Sequence, residues 1–303
     1  MYDIVIIGAG PAGLTAAIYA RRANKSVLIL EKESFGGQIT YSPKVENYPG
    51  FAEISGAELG EKLVDQALNL GAEIELDTVV GIRSTAAYKI VQGEHAEYKG
   101  LSVIIASGSR HRQLGLPREN EFIGNGVSYC ALCDGAFYKD RTIAVIGGGN
   151  TALQDAVLLS DTCSHVTIIQ NLAKCTGEQR LIDILKSRPN VDFMYNTVVD
   201  ELEGDTELEA LMLHDTESGK IFRFPVEGIF VAIGQQPENE PFKNVCKLDE
   251  YGYITAGETT LTGTDGIYAA GDCRTKTVRQ VVTASGDGAS AALAACRYVD
   301  SVK

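Results

Sequence analysis

The sequence predicts an α/β protein containing two Rossmann-like dinucleotide-binding domains, and three observations predict it. A β-branched strand, a glycine loop and a helix follow one another at the N-terminus. The same succession returns from residue 142. The length of 303 residues suits two domains at the usual size of roughly 150 residues each. Glycine is abundant, 32 residues against 8 prolines, as tight strand-to-helix turns require. With 45% hydrophobic and 22% charged residues, the chain is globular, neither disordered nor fibrous.

In the first unit the strand DIVII (3–7) ends in the loop GAGPAG (8–13) and continues into LTAAIYARRANK (14–25), where Leu14, Ala17 and Ile18 recur at helical spacing. Each glycine of the loop has a physical task. Gly8 lets the turn form, Gly10 admits a pyrophosphate beside backbone N–H groups, and Gly13 lets helix and strand pack closely. A second strand, VLIL (27–30), ends in Glu31, where a carboxylate accepts hydrogen bonds from the ribose hydroxyls of an adenosine.

In the second unit TIAVI (142–146) is the strand, GGGNTA (147–152) the loop, and LQDAVLLSD (153–161) the start of the helix. Gly147, Gly149, Asn150, Thr151 and Ala152 are thereby assigned to a nicotinamide nucleotide; the alternative is a Rossmann-like domain kept for its packing. The strand VTII (166–169) ends at Gln170, in place of the acid or paired arginines that distinguish NADH from NADPH. Further strands are expected at 71–76, 102–109, 228–234 and 266–272, with turn signals at 124–126, 234–237 and 251–253.

The formal net charge is −13, and no Lys/Arg block stands out, so nucleic acid is not expected as a partner. The longest apolar runs, such as IFVAI (229–233), fall far short of a membrane span, and Asp3 stands where a signal peptide places a basic residue. The expected location is cytoplasmic, without a membrane.

Seven cysteines include one close pair, Cys130 and Cys133, in the segment YCALCDG (129–135). A CxxC pair is either half of a metal site or a redox pair. No second CxxC or HxxxH completes a tetrahedral site, which favours redox and no metal; zinc completed by Cys163 and Cys175 is the alternative. A thiol at a helix start is depressed in pKa by backbone N–H groups. Asp134, next to the second thiol, is a candidate proton donor and acceptor for thiol exchange, with an ordinary helix cap as the competing explanation.

These stretches, with FGGQI (35–39), ENYPGF (46–51), ASG (106–108), GVSYCALCDG (126–135), IGQQP (233–237), IYAAGDC (267–273) and RQVVTASGDG (279–288), resemble the low-molecular-weight bacterial thioredoxin reductase family from end to end. The resemblance implies that the second dinucleotide domain is inserted into the first: an FAD-binding domain at 1–113 and 241–303, interrupted by a nucleotide and redox-disulfide domain at 114–240. It implies that Gly8, Gly10, Gly13, Glu31, Gln38, Asn47, Gly271, Asp272, Arg279 and Gln280 contact FAD. It places Cys133 nearest the flavin, Cys130 as the thiol that attacks a thioredoxin-like protein, and Asp134 as acid/base in a homodimeric enzyme. One departure bears on the electron donor. Family members that use NADPH carry His-Arg-Arg-x-x-x-Arg after the second strand of the inserted domain, whereas Gln170, Asn171, Leu172 and Thr176 stand here. Only Lys174 and Arg180 remain nearby, so NADH is favoured over NADPH, and ferredoxin or another flavoprotein is the alternative donor. Leu132 replaces the family's frequent Thr between the cysteines. A flavin- or zinc-containing redox sensor is the non-enzymatic alternative.

Overall fold

The computed structural model describes residues 1–42, 45–85 and 87–303. The chain forms two compact units, Met1–Arg110 with Gln236–Lys303, and His111–Gln235.

In the first unit β1 (Tyr2–Ile7) leads into α1 (Pro11–Arg22), followed by β2 (Val27–Glu31), α2 (Gly56–Asn69), β3 (Glu73–Leu76), β4 (Val79–Ser84), β5 (Lys89–Gly93), β6 (Glu97–Ile105) and the short β7 (Arg110–His111). The sheet order is β3-β2-β1-β6-β5-β4, and β1 runs parallel to both β2 and β6. β1 is buried on both faces, which is why its sequence is a continuous apolar run instead of an alternating one. Ile4 and Ile6 join the core beneath α1, while Val5 and Ile7 join a second core with Leu28, Leu30 and Phe242. α1 begins with Pro11, whose fixed φ suits the first helical position, and ends on Arg21 and Arg22, favourable at a helix C-terminus.

The second unit contains β8 (Val127–Ser128), α3 (Ala131–Asp134), β9 (Thr142–Ile146), α4 (Asn150–Ser160), β10 (His165–Ile169), α5 (Gln179–Lys186) and β11 (Val191–Met194). It continues through β12 (Thr197–Glu203), β13 (Ala210–Asp215), β14 (Ile221–Pro225), β15 (Gly228–Val231) and β16 (Gln235–Gln236). Its main sheet, β11-β10-β9-β15-β8, is parallel throughout, and β12-β13-β14 form a separate antiparallel sheet.

The chain then returns to the first unit. β17 (Ile267–Ala269) pairs parallel with the end of β6, and α6 (Val281–Val302) packs against α1. A Cβ on Gly288 would stand 2.1 Å from the Ala12 carbonyl oxygen, so the approach of the two helices requires glycine there. Several elements go beyond the sequence prediction: α2, α5, α6, the antiparallel β4 and β5, and the whole β12-β13-β14 sheet. The strand expected at 102–109 stops at Ile105, and the one expected at 266–272 spans only Ile267–Ala269.

Candidate active site

β8 delivers the chain to a tight cysteine turn. Cys130 and Cys133 form a disulfide with Cα atoms 5.3 Å apart. Cys130 is the N-cap of α3, and its sulfur accepts the backbone N–H of Cys133 at 3.2 Å. Once the disulfide opens, that N–H stabilises a thiolate at Cys130. Both cysteines are half-buried, and Leu132 between them is exposed.

Asp134 closes the turn. The Ser128 hydroxyl donates to Asp134 Oδ2 at 2.6 Å, and Ser128 Oγ accepts the Cys130 N–H at 3.1 Å. Asp134 Oδ1 is buried with no hydrogen-bond partner among the described residues. Burial pushes the carboxyl pKa up, and the Ser128 hydrogen bond works against it. Asp134 stands at the N-cap position of the 3₁₀ turn Gly135–Tyr138 but makes no side-chain cap bond. Helix capping therefore leaves the residue unexplained. Cys163, Cys175, Cys246, Cys273 and Cys296 are free and buried, and among the described residues no three His, Cys, Asp or Glu side chains converge as a metal cluster.

The first glycine loop is shaped by backbone approach. Gly8 has φ +104°, and a Cβ on it would lie 2.3 Å from the Ala106 carbonyl oxygen; one on Gly13 would lie 1.9 Å from that of Gly8. Gly10 differs, because its Cβ would meet nothing nearer than Gly37 Cα at 3.8 Å. Glu31 reaches from the end of β2 to this loop, where Oε2 accepts the Ala9 N–H at 2.8 Å while Oε1 accepts that of Lys32 at 2.8 Å. Gly271 packs against Ala12 in α1, and Asp272 follows it with a buried Oδ1 that has no hydrogen-bond partner among the described residues. The Arg279 guanidinium lies 4.2 Å from the Tyr253 ring centroid, with Nε donating to the Asp272 carbonyl at 3.5 Å. Asn47 Nδ2 donates to Gln280 Oε1 at 3.2 Å, and Gln280 caps α6 through a reciprocal box with Thr283. Gln38 is exposed in the 3₁₀ turn Gly37–Tyr41, beside the loop that Gly37 touches.

The second loop repeats this geometry with an added cover. Gly147 has φ +129° and approaches the Ala232 carbonyl, whereas a Cβ on Gly149 would meet nothing within 4 Å. Buried Ala152 takes the place that Gly13 has in the first loop, and Thr151 is exposed. The Asn150 side chain is engaged, its Oδ1 accepting the Glu178 N–H at 2.7 Å. Thr176 and Gly177 donate to the Gly148 carbonyl at 2.8 and 3.0 Å. Gln170 is buried against Gly148, with Nε2 donating to the Lys174 carbonyl at 3.4 Å. Asn171, Leu172, Lys174, Thr176 and Arg180 are exposed.

Residues 2–288 match the family model described as pyridine nucleotide-disulphide oxidoreductase. A thioredoxin reductase of Bacillus subtilis is 41% identical over 100% of this chain and 96% of its own length, and one of Listeria monocytogenes is 40% identical over 100% and 95%. The crystal structure of thioredoxin reductase from Streptococcus pyogenes is 37% identical, covers 99% of each chain and superposes with a TM-score of 0.95. The chain belongs to the thioredoxin reductase branch of the pyridine nucleotide-disulphide oxidoreductase family. Membership implies FAD and a nicotinamide-type nucleotide, and the residues present fit such groups. Gly10 and Gly149 each open onto space that a side chain would fill, and Asp272, next to the Gly271 that packs against α1, holds a buried Oδ1 without a partner among the described residues.

Two site residues escape sequence reasoning. Ser128 joins Asp134 to the cysteine turn; it lies within GVSYCALCDG (126–135), but a serine at a strand end has no spacing that assigns it a task. Asp287 accepts from the Gly271 N–H at 3.0 Å, from Arg274 at 2.8 and 2.7 Å, and from Lys276 at 2.9 Å, holding the backbone that leads into Asp272. A lone acid in the small-residue run TASGDGASAALAA (283–295) was the available signal.

Proposed function

We propose that the chain is a thioredoxin-disulfide reductase, in which electrons from a reduced donor pass through FAD to the Cys130–Cys133 pair and on to a thioredoxin-like protein disulfide. The observation that carries this reading is the Cys130–Cys133 disulfide beside half-buried Asp134, directly ahead of a second glycine loop. The first unit is the FAD domain: Gly8, Gly10 and Gly13 cradle the pyrophosphate and Glu31 takes the ribose. Gln38, Asn47, Gly271, Asp272, Arg279 and Gln280 hold the remainder. When bound, FAD accepts two electrons as a hydride and releases them to a disulfide. Reduction of the pair takes two electrons and two protons and yields two thiols. Cys130 then attacks the partner disulfide, one partner thiolate leaves and takes a proton from Asp134, and Cys133 resolves the mixed disulfide to release the second. Cys133 is assigned to the flavin side. The enzyme is expected to be a cytoplasmic homodimer.

Gly147, Gly149, Asn150, Thr151 and Ala152 form the nucleotide loop, and NADH is favoured over NADPH. A 2′-phosphate carries about two negative charges, and Gln170, Asn171, Leu172 and Thr176 supply no guanidinium fork to it. A second reading, a ferredoxin or flavoprotein donor, is favoured by the cover on this loop: Gln170 lies on Gly148, and the Asn150 side chain is committed to Glu178. Anaerobic titration of the flavin absorbance with NADH, NADPH and reduced ferredoxin, followed by oxidised thioredoxin, tests the reading. NADH or ferredoxin bleaches the flavin and thioredoxin disulfide restores its colour. A flavin that no donor bleaches, or that thioredoxin leaves bleached, defeats the proposal.

A further inference from the structure

We infer that Ser128 is a positioning residue that holds Asp134 by Oδ2, so that Oδ1 is the oxygen that carries the exchanged proton. This rests on the disulfide-reductase reading for the use of that proton, but not for its placement. Ser128 has a single hydroxyl proton, and it is spent on Asp134 Oδ2 at 2.6 Å. Its lone pair accepts the Cys130 N–H at 3.1 Å, so the side chain cannot leave its rotamer without losing both bonds. Ser128 is itself almost wholly buried in β8, whose neighbour β15 fixes its backbone through the Ser128–Phe230 register. The carboxyl is thereby oriented by the same residue that orients the attacking cysteine. Oδ1 is left buried with no partner among the described residues, the one position on Asp134 where a proton neither competes with nor breaks an existing hydrogen bond.

During exchange the partner S–S bond breaks, a Cys130–S–partner bond forms, and the leaving thiolate takes the Oδ1 proton, which leaves Asp134 ionised. The ionised form is the one a hydroxyl donor stabilises, so Ser128 lowers the cost of giving the proton up in a site where burial raises it. The other titratable groups on elements around Asp134 are Tyr138 in the following turn, with Arg141 and Glu207 beyond it, and Asp155 on α4. Tyr138 is a neutral phenol whose pKa burial pushes up to about 12, and Asp155 is a half-buried acid pushed up to about 6.

The test titrates the Asp134 carboxyl directly by carbon NMR of the oxidised, FAD-loaded protein, with Asp134→Asn to assign the signal. Ser128→Ala raises the Asp134 midpoint by about one pH unit, the loss of one hydrogen bond to a charged acceptor. Ser128→Thr, which keeps the hydroxyl, restores it. Neither change alters flavin content. An Asp134 midpoint that Ser128→Ala leaves unmoved, or that Ser128→Thr fails to restore, overturns the inference. The alkaline limb of thioredoxin-disulfide reduction moves upward with the NMR midpoint in Ser128→Ala, and a limb that stays fixed while the midpoint moves also overturns it. If the protein reduces no disulfide at all, the functional reading falls, and the NMR titration still decides the role of Ser128.

Discussion

Asp287→Asn removes one negative charge from a buried cluster while keeping the shape of the side chain. Asp287 meets Arg274 through two bonds at 2.8 and 2.7 Å and Lys276 at 2.9 Å. The Arg274 side chain is 2% exposed and that of Lys276 6%, so the variant leaves two cations nearly out of water, with the solvent-exposed Glu258 carboxylate 3.3 Å from Arg274 as the remaining ion-pair partner of that cluster. Breaking a buried pair in this way costs about 3–5 kcal/mol. For a body of 150–250 residues each kcal/mol lowers the melting temperature by roughly 2–4 °C, so the expected loss is about 6–20 °C. Thermal unfolding of the FAD-loaded protein followed by circular dichroism reads it, with Glu250→Gln on an exposed turn as a control for charge alone. The cations also hold the Asp287 carboxyl below its ordinary pKa, in the face of burial. A depressed folded-state pKa means that the stabilisation is present above the ordinary carboxylate range and disappears as pH falls through the lowered value. The wild-type advantage over Asp287→Asn is therefore full at neutral pH and shrinks only below about pH 4. A variant that melts within about 2 °C of wild type at pH 7 would refute the reasoning, because a single kcal/mol already accounts for that much.

Cys130→Ser and Cys133→Ser each abolish thioredoxin-disulfide reduction while FAD content, read by absorbance, stays at one per chain; turnover in either variant contradicts the assigned pair. Asp134→Asn slows the same reaction by about 10²-fold or more, and the wild-type rate falls as pH rises through the upshifted Asp134 pKa, since the acid must be protonated to donate. The NADPH/NADH ratio of kcat/KM is about one or lower, because a 2′-phosphate lacks two or three charge-assisted bonds worth about 1.5–3 kcal/mol each; Arg at 171, 172 and 176 together raises the ratio. Gly10→Ala folds normally, its Cβ meeting nothing closer than 3.8 Å, but loses FAD affinity in an equilibrium binding titration; Gly13→Ala, 1.9 Å from the Gly8 carbonyl, loses the fold as well.

The two glycine units and the cysteine turn were legible because each is a local pattern whose chemistry is written in adjacent residues. β1, α1 and β2 fall where strand, loop and helix periodicity put them, and the residues of YCALCDG are neighbours in chain and space alike. The β12-β13-β14 sheet was not legible for a physical reason. β14 is short and never fully buried, with the apolar Ile221 and Pro225 on its exposed positions, and β12 carries a register shift between Val199 and Glu201, so the first offers little apolar contrast and the second breaks its two-residue period. α6 was hidden by its own glycines, which read as helix breakers until the contact of Gly288 with Ala12 is known. Ser128 and Asp287 act on residues separated from them by a turn or by the fold, and only the assembled structure brings their partners within reach. The second loop shows the converse: Gln170 in place of a charged residue was plain in the sequence, while its packing over Gly148 was not.

Electrons bound for thioredoxin pass through the Cys130 and Cys133 sulfurs, and labelling of the cysteines tests this most directly. In differential alkylation under anaerobic conditions, the FAD-loaded protein is labelled before donor addition, after it, and again after excess oxidised thioredoxin, and mass spectrometry assigns each labelled cysteine. Two new thiols appear on reduction, at Cys130 and Cys133, and both vanish when thioredoxin disulfide is added, while the five buried cysteines stay unlabelled throughout. New thiols at any other position, or a Cys130–Cys133 pair that stays reduced in the presence of oxidised thioredoxin, would contradict it.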